Sequence, residues 1–253
     1  MGKIHLLMRK EEIDEQQLTD NKIVVVFDVL LATSTITAAL EYGAKEVIPV
    51  HNEEEAIKYG QRKMISEAIL IGEYQGKTID GFLAPNPKAL KDVVSGKTII
   101  LSTTNGTVAL KKSQNAKKVY AASILNSKSV AQHLVTNYKD ESIILICSGS
   151  SGKFNMEDFY GAGYFIDCLL SYSIELEYTD AAKAAHLFYS SHLDKEFEIL
   201  AESSVGKMLL DYGFEDELKF VSLKSQFKVV PIFENGLSVR NAKNMIKVDQ
   251  DNR

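Results

Sequence analysis

An aspartate ends a strand of branched apolar residues in the run Val24-Val25-Val26-Phe27-Asp28, and it is the side chain with the most capacity for chemistry. A carboxylate there is costly to bury unless a cation or hydrogen-bond donors meet it. Asp28 either holds a metal or attacks phosphorus, or it caps a turn through the amides of Leu30 to Thr33. The hydroxyls of Thr33, Ser34 and Thr35 follow at once, and with helix-start amides they favour a ligand there. Two more apolar strands run into loops of the same kind. One is Ser102-Thr103-Thr104-Asn105-Gly106-Thr107, with four hydroxyls and an amide ahead of a helix. The other is Cys147-Ser148-Gly149-Ser150-Ser151-Gly152, whose glycines allow close backbone approach. Backbone N–H groups at helix starts, supplemented by hydroxyls, suit an anion such as phosphate or sulfonate. The alternatives are an ordinary N-cap for the first loop and a plain turn for the second.

Further carboxylates stand at comparable places. Glu73 follows the strand Ile69–Ile71, and Glu157-Asp158 occupies the first turn of a helix. The acidic pair either complements the helix dipole or lends one member to join Asp28 around Mg2+, a hard cation that needs only one or two carboxylates because it keeps several waters. Glu73 is the other candidate ligand. Aspartate-nucleophile phosphatases carry a second Asp two residues after the first. Leu30 stands there, which speaks against Asp28 as nucleophile. The histidines at 5, 51, 133, 186 and 192 form no zinc spacing, and no Gly-x-Gly-x-x-Gly follows a strand. Cys147 reads as a small buried hydrophobe. The residue types point to an enzyme acting on a small anionic metabolite.

The elements that would position these groups alternate. Strands are expected at Lys3–Met8, Ile23–Asp28, Glu46–Val50, Ile69–Ile71, Thr98–Ser102, Val119–Ala122 and Ser142–Cys147. Helices are expected at Thr35–Tyr42, closed by Gly43, from Glu53 behind the cap Asn52, and at Gly106–Lys112, Ser127–Tyr138 and Met156–Leu170. Asn155 with Asp158 resembles a capping pair. The segment Tyr74–Lys88 carries no periodic pattern. Thr179–Ser191 and Leu193–Tyr212 read as two helices, the second closed by Gly213, and Gln226–Ile232 as a late strand. Such alternation predicts an α/β protein with a largely parallel sheet covered on both faces, whose strand ends gather ligand-binding loops on one edge. No Pro- or Gly-rich linker divides residues 1–253, so one domain is expected.

Bulk properties set the class. A net charge of −5 and no basic run longer than two among 253 residues exclude a concentrated nucleic-acid-binding face. No apolar run approaches the length of a membrane span and no secretory signal is read, so no membrane partner is expected. Two cysteines in apolar stretches suggest reduced thiols and a cytoplasmic setting. A symmetric homodimer is the usual expectation for a soluble chain.

In combination these residues resemble the magnesium-dependent 2-phosphosulfolactate phosphatases. The resemblance rests on Val26-Phe27-Asp28-Val29-Leu30 with Ala32-Thr33-Ser34-Thr35-Ile36, on Gly72-Glu73, and on Gly81-Phe82 with Asn86. It continues through Thr103-Thr104-Asn105-Gly106-Thr107, Cys147-Ser148-Gly149 and Glu157-Asp158 with Ala162-Gly163, in the family's order over roughly residues 3 to 230. It implies a three-layer α/β/α fold and Mg2+-assisted hydrolysis of a phosphate ester beside a sulfonate. On this reading Asp28, Glu73 and Asp158 are catalytic, and Asp28 with Glu157 or Asp158 holds the metal. Thr33, Ser34, Thr35, Asn86, Thr103, Thr104, Asn105, Gly106, Thr107, Ser148 and Gly149 would bind substrate. The chain departs from the family pattern at Leu31 and Tyr74, where arginines are usual, and at Pro85-Asn86-Pro87-Lys88, where the usual run is Gly-Asn-Ser-Pro. Arginine grips phosphate or sulfonate through paired hydrogen bonds that leucine lacks. Lys77 or Lys88 would be the nearest substitutes. A phosphatase for another small phosphorylated hydroxy acid, or an inactive anion-binding homologue, are the alternatives.

Overall fold

The computed structural model describes residues 2–19, 21–61, 67–74, 76–172 and 177–242. In chain order the first half forms β1 (Lys3–Leu7), β2 (Lys22–Phe27), α1 (Ala32–Glu41), β3 (Glu46–Val50), α2 (Glu53–Gly60), β4 (Ala68–Tyr74), β5 (Lys77–Thr78), β6 (Thr98–Ser102) and α3 (Gly106–Lys112). There follow β7 (Lys118–Ala122), α4 (Ser127–Asn137), β8 (Ser142–Cys147), α5 (Met156–Leu170), β9 (Glu177–Tyr178) and α6 (Asp180–Ser190). The chain continues with α7 (Glu196–Glu202), α8 (Ser204–Asp211), α9 (Glu215–Val221), β10 (Pro231–Glu234) and β11 (Ser238–Asn241). The strands make one mixed, largely parallel sheet in the order β5-β4-β6-β3-β11-β10-β7-β2-β8-β1-β9, with helices on both faces. The architecture is the expected α/β/α one.

Its polarity is not the expected one. β4, β6 and β3 run parallel to one another, as do β7, β2, β8, β1 and β9. The hairpin β10–β11 joins the two runs through antiparallel pairs on both sides, so the runs point in opposite directions. The three polar loops therefore do not share one edge of a uniform sheet. Two follow β2 and β8; the third follows β6 in the opposed run. Sheet twist reconciles them: at about 20–25° per strand, the five steps from β6 to β2 rotate the strands by roughly 100–125°, which swings opposed strand ends toward each other.

Side-chain alternation sets the faces. Ile23, Val25 and Phe27 of β2 face the core beneath α4, α5 and α6, where Phe27 meets Phe165 edge-on at 5.6 Å. Val24 and Val26 face the opposite core with Ile36 of α1, Leu110 of α3 and Leu101 of β6. This second core ties α1 and α3 together inside the curl of the sheet and brings the ends of β2 and β6 side by side.

Several boundaries differ from the sequence expectation. The single helix expected over Leu193–Tyr212 is two, because Ser203 ends α7 and caps α8, its hydroxyl accepting from Gly206 N at 3.0 Å. The late strand lies at Pro231–Glu234 rather than Gln226–Ile232, and α9 and β11 were not expected at all. The patternless segment after Tyr74 contains the short strand β5, paired with β4. Asn52 does cap α2, accepting from Glu55 N at 2.9 Å, and Gly43 closes α1 at φ +90°. No helix among the described residues is long and apolar enough to cross a membrane.

Candidate active site

Asp28 sits just beyond β2, 6% exposed, against the start of α3. Its Oδ1 accepts only a long contact, 3.4 Å, from Ala32 N. Burial pushes its carboxyl up to about 6 and the charge of Glu73 adds to this; the amides of Ala32 and Gly106 and the charge of Lys10 pull it down. Gly106 explains why the loop after β6 opens a helix with glycine. A Cβ there would stand 2.7 Å from both Ala32 Cβ and Asp28 Oδ2. Only a residue without a side chain lets α3 begin against the Asp28 carboxylate.

The loop leading into α3 is held from two sides. Glu73, at the end of β4, accepts through Oε1 from Thr104 N at 3.0 Å and Thr104 Oγ1 at 2.9 Å, and through Oε2 from Gly76 N at 2.9 Å. Thr107 donates its hydroxyl to Thr103 O at 2.8 Å. Lys10, which follows β1, donates Nζ to Asn105 Oδ1 at 2.8 Å and pairs with Glu11 at 3.1 Å. Although 8% exposed, Lys10 thus brings a cation to the loop that faces Asp28.

The start of α5 closes the third side. The Asp158 carboxylate bridges two loops, accepting from Val29 N at 2.8 Å and Gly149 N at 3.1 Å. It does not complete a capping pair, since Asn155 makes no side-chain cap. The structural reason is that the loops after β2 and β8 present amides at the distance an Asp side chain spans. Burial, reinforced by the charges of Asp28 and Glu157, pushes Asp158 well above the carboxylate range, and the two amides offset this in part. Glu157 is 1% exposed, and its Oε1 has no hydrogen-bond partner. Burial raises its carboxyl to about 7; the Ser203 hydroxyl opposes the rise and Asp28 adds to it. Ser148 Oγ is likewise buried and without a partner. Among the described residues no three His, Cys, Asp or Glu side chains form an all-protein metal cage.

These elements border a cleft of about 540 Å3. Of the residues singled out from sequence, Asp28, Glu73, Asn86, Thr103, Thr104 and Asn105 line it. Glu157, Asp158, Ser148, Gly149, Gly106 and Thr107 lie behind that lining. Thr33, Ser34 and Thr35 were expected to turn their hydroxyls toward a ligand, and the structure places them elsewhere. All three are fully buried, donating to Asp28 O, Val29 O, and to Leu31 O and Pro85 O respectively, so they brace α1 and the Pro85 loop. Lys88 is not at the cleft either; it pairs with Asp216 at 2.9 Å. Sequence reasoning passed over Lys10 and Lys153, and over α8, which lends Val205 and Met208 to the lining. Lys10 carries one legible signal, a cation just past a strand end. The α8 residues carry none, because an apolar stripe on a short helix reads as core.

Comparison with known proteins is consistent across the chain. A family model described as 2-phosphosulpholactate phosphatase matches residues 7–236. A protein of Clostridium perfringens strain SM101 is 40% identical over 250 residues, covering 97% of this chain and 99% of its own. One of Clostridium acetobutylicum is 38% identical over 241 residues, 92% of this chain and 98% of its own. One of Caldanaerobacter subterraneus is 36% identical over 227 residues, 89% and 92% respectively. Each of these relatives is named a probable 2-phosphosulfolactate phosphatase.

Proposed function

This chain belongs to the 2-phosphosulfolactate phosphatase family, and on that premise we propose that it is a Mg2+-dependent hydrolase of phosphoric monoesters. Its substrate on this reading is 2-phospho-3-sulfolactate, split into sulfolactate and phosphate. The observation that carries the reading is the meeting of Asp28 with the Thr103–Gly106 loop at the floor of a polar cleft half.

Two features support a divalent cation. Asp28 and Glu157 are buried carboxylates that repel each other, and Glu157 Oε1 has no partner. Their donors are hard oxygens, and Mg2+ takes one or two carboxylates while keeping several waters. Asp28 and Glu157 would hold it; Asp158 is already committed to two amides. When bound, such an ion neutralises charge on the phosphate as the ester bond breaks.

The chain's own residues do the positioning that dominates phosphoryl transfer. Asn105 presents its side-chain NH2 to the phosphoryl oxygens, whereas both Thr104 donors are engaged by Glu73. Glu73 fixes Thr104, while Lys10 fixes Asn105 and adds positive charge. Water from the cleft attacks phosphorus, the ester P–O bond breaks, and the leaving alkoxide takes up the proton that the attacking water gives up. Asp28 acts as a ligand rather than as the nucleophile, since its Oδ2 packs against Gly106 and Leu30 stands where a second Asp would serve.

The test is phosphate release from 2-phosphosulfolactate with Mg2+ and with EDTA, beside a panel of phosphorylated hydroxy acids. Metal-dependent release supports the proposal; no release from any ester removes it. A second reading, a non-sulfonated phosphorylated hydroxy acid as substrate, draws on Leu31, which lines the cleft and offers no donor to a sulfonate.

A further inference from the structure

Away from Asp28 the cleft runs along α8, and its chemistry changes. Leu31, Val205, Met208 and Phe214 form this wall, all half-buried, and the exposed Ser204 at the start of α8 is its polar edge. Val205 and Met208 stand three residues apart and so share one helix face. Leu209 packs beneath them at 6% exposure. Met208 also reaches across to the β4–β5 turn, where a Cβ on Gly76 would lie 2.8 Å from its Sδ and Cε. The wall is thus adaptable as well as apolar, since a thioether side chain has three rotatable bonds and is polarizable.

Charge decides what such a wall can receive. The charged side chains lining the cleft are Asp28, Glu73 and Lys153, with Lys10 behind Asn105. Both cations come from loops, Lys10 after β1 and Lys153 ahead of α5, and neither is on α8. On α8 itself Lys207 is exposed and does not line the cleft. A second anionic group laid against α8 would meet no cation from that helix, whereas an alkyl group there would simply leave water. The volume of about 540 Å3 also falls in the range of sites that enclose ligands larger than a three-carbon acid.

We propose that the α8 wall is a subsite for an apolar substituent on the phosphorylated acid. The site then accepts 2-phosphorylated hydroxy acids with an alkyl tail in place of a second anionic group. This deepens the phosphatase reading and rests on it, with the phosphate held at the Asp28 end.

The experiment uses the full chain with Mg2+ and the phosphate esters of glycolate, lactate, 2-hydroxybutyrate and 2-hydroxyhexanoate, beside 2-phosphosulfolactate. Phosphate release gives kcat/KM, and calorimetry with the corresponding non-hydrolysable phosphonates gives affinity. Each methylene that reaches the wall should improve kcat/KM and Kd by about fourfold. Met208→Lys should flatten that series and strengthen binding of the sulfonated ester. Val205→Ser serves as the second variant should Met208→Lys fail to fold. A series flat in both readouts, with the sulfonated ester still hydrolysed, overturns the subsite and leaves the phosphatase reading standing. No turnover of any ester removes the phosphatase reading, and chain-length-dependent phosphonate binding would then still establish the subsite.

Discussion

Gly106 and Asp28 are in such close contact that a Cβ on Gly106 would lie 2.7 Å from Asp28 Oδ2 and 2.9 Å from Asp28 Cβ. Gly106→Ala should therefore push α3 away from the carboxylate. Overpacking of this kind costs about 1–3 kcal/mol of stability, and a displacement near 1 Å costs about a hundredfold in rate. Urea unfolding and kcat together check this; full activity would show that the contact does not position the site.

Asp158 and Glu157 should part company on mutation, although they are adjacent and equally buried. Asp158→Ala leaves the amides of Val29 and Gly149 without their acceptor, at about 1–3 kcal/mol each. Glu157→Ala removes an oxygen that has no partner, so it should cost less stability and instead reduce the protection that Mg2+ gives. Denaturant midpoints with and without Mg2+ separate the two; equal losses in both conditions would count against the assignment.

The stability of the metal-free protein should fall as pH rises from about 4.5 to about 7. Asp28 releases its proton near 3.8 when unfolded and near 6 when folded, and Glu157 near 4.5 and near 7. In that window the folded chain binds more protons than the unfolded chain, so stability is greatest below it and is lost as pH climbs through the folded values. His5 and His133, both lowered chiefly by burial, act in the opposite sense. The decisive quantity is therefore wild type minus Asp28→Asn across one pH series. That difference should grow more unfavourable to wild type toward pH 7, while Asp28→Asn should abolish turnover.

Thr35→Val tests whether a hydroxyl beside the site touches ligand. Thr35 Oγ1 is fully buried and lies 2.9 Å from both Leu31 O and Pro85 O. The variant should lose about 1 kcal/mol of stability with KM for the phosphorylated substrate unchanged. A large rise in KM at unchanged stability would return Thr35 to the binding surface.

Leu31→Arg places a guanidinium on the cleft wall. A charge-assisted bond is worth about 1.5–3 kcal/mol, so affinity for a substrate bearing a second anionic group should rise about tenfold or more. Inhibition constants for sulfonated and non-sulfonated acids measure the change directly.

Element type was readable wherever the local pattern was strong. β3 and β6 fall where their apolar runs end, and Gly43 and Asn52 punctuate α1 and α2 as their chemistry requires. The break at Ser203 was not read, since the apolar pattern continues across it; there Ser203 caps α8 and Gly206 approaches Leu200 O too closely to carry a side chain. β11 escaped, and β10 was expected too early in the chain, because pairing with β3 and β7, strands far away in sequence, decides where they lie. At the site, residues with a chemical label and a strand-end position were visible: Asp28, Glu73, and the loop from Thr103. Lys10 was not, because its partner Asn105 is 95 residues away.

The sequence by itself determined the alternation of strands and helices, the polar loops at strand ends, and the carboxylates available to chemistry. Those depend on local propensity and on side-chain type, which neighbouring residues express without help. Only the tertiary structure decided that the two parallel runs oppose each other and that the curl of the sheet sets Gly106 against Asp28. It alone turned Thr33, Ser34 and Thr35 inward, spent Asp158 on two amides, and brought α8 to the cleft as an apolar wall. Each of these depends on which distant groups meet across the fold, a relation that spacing along the chain does not encode.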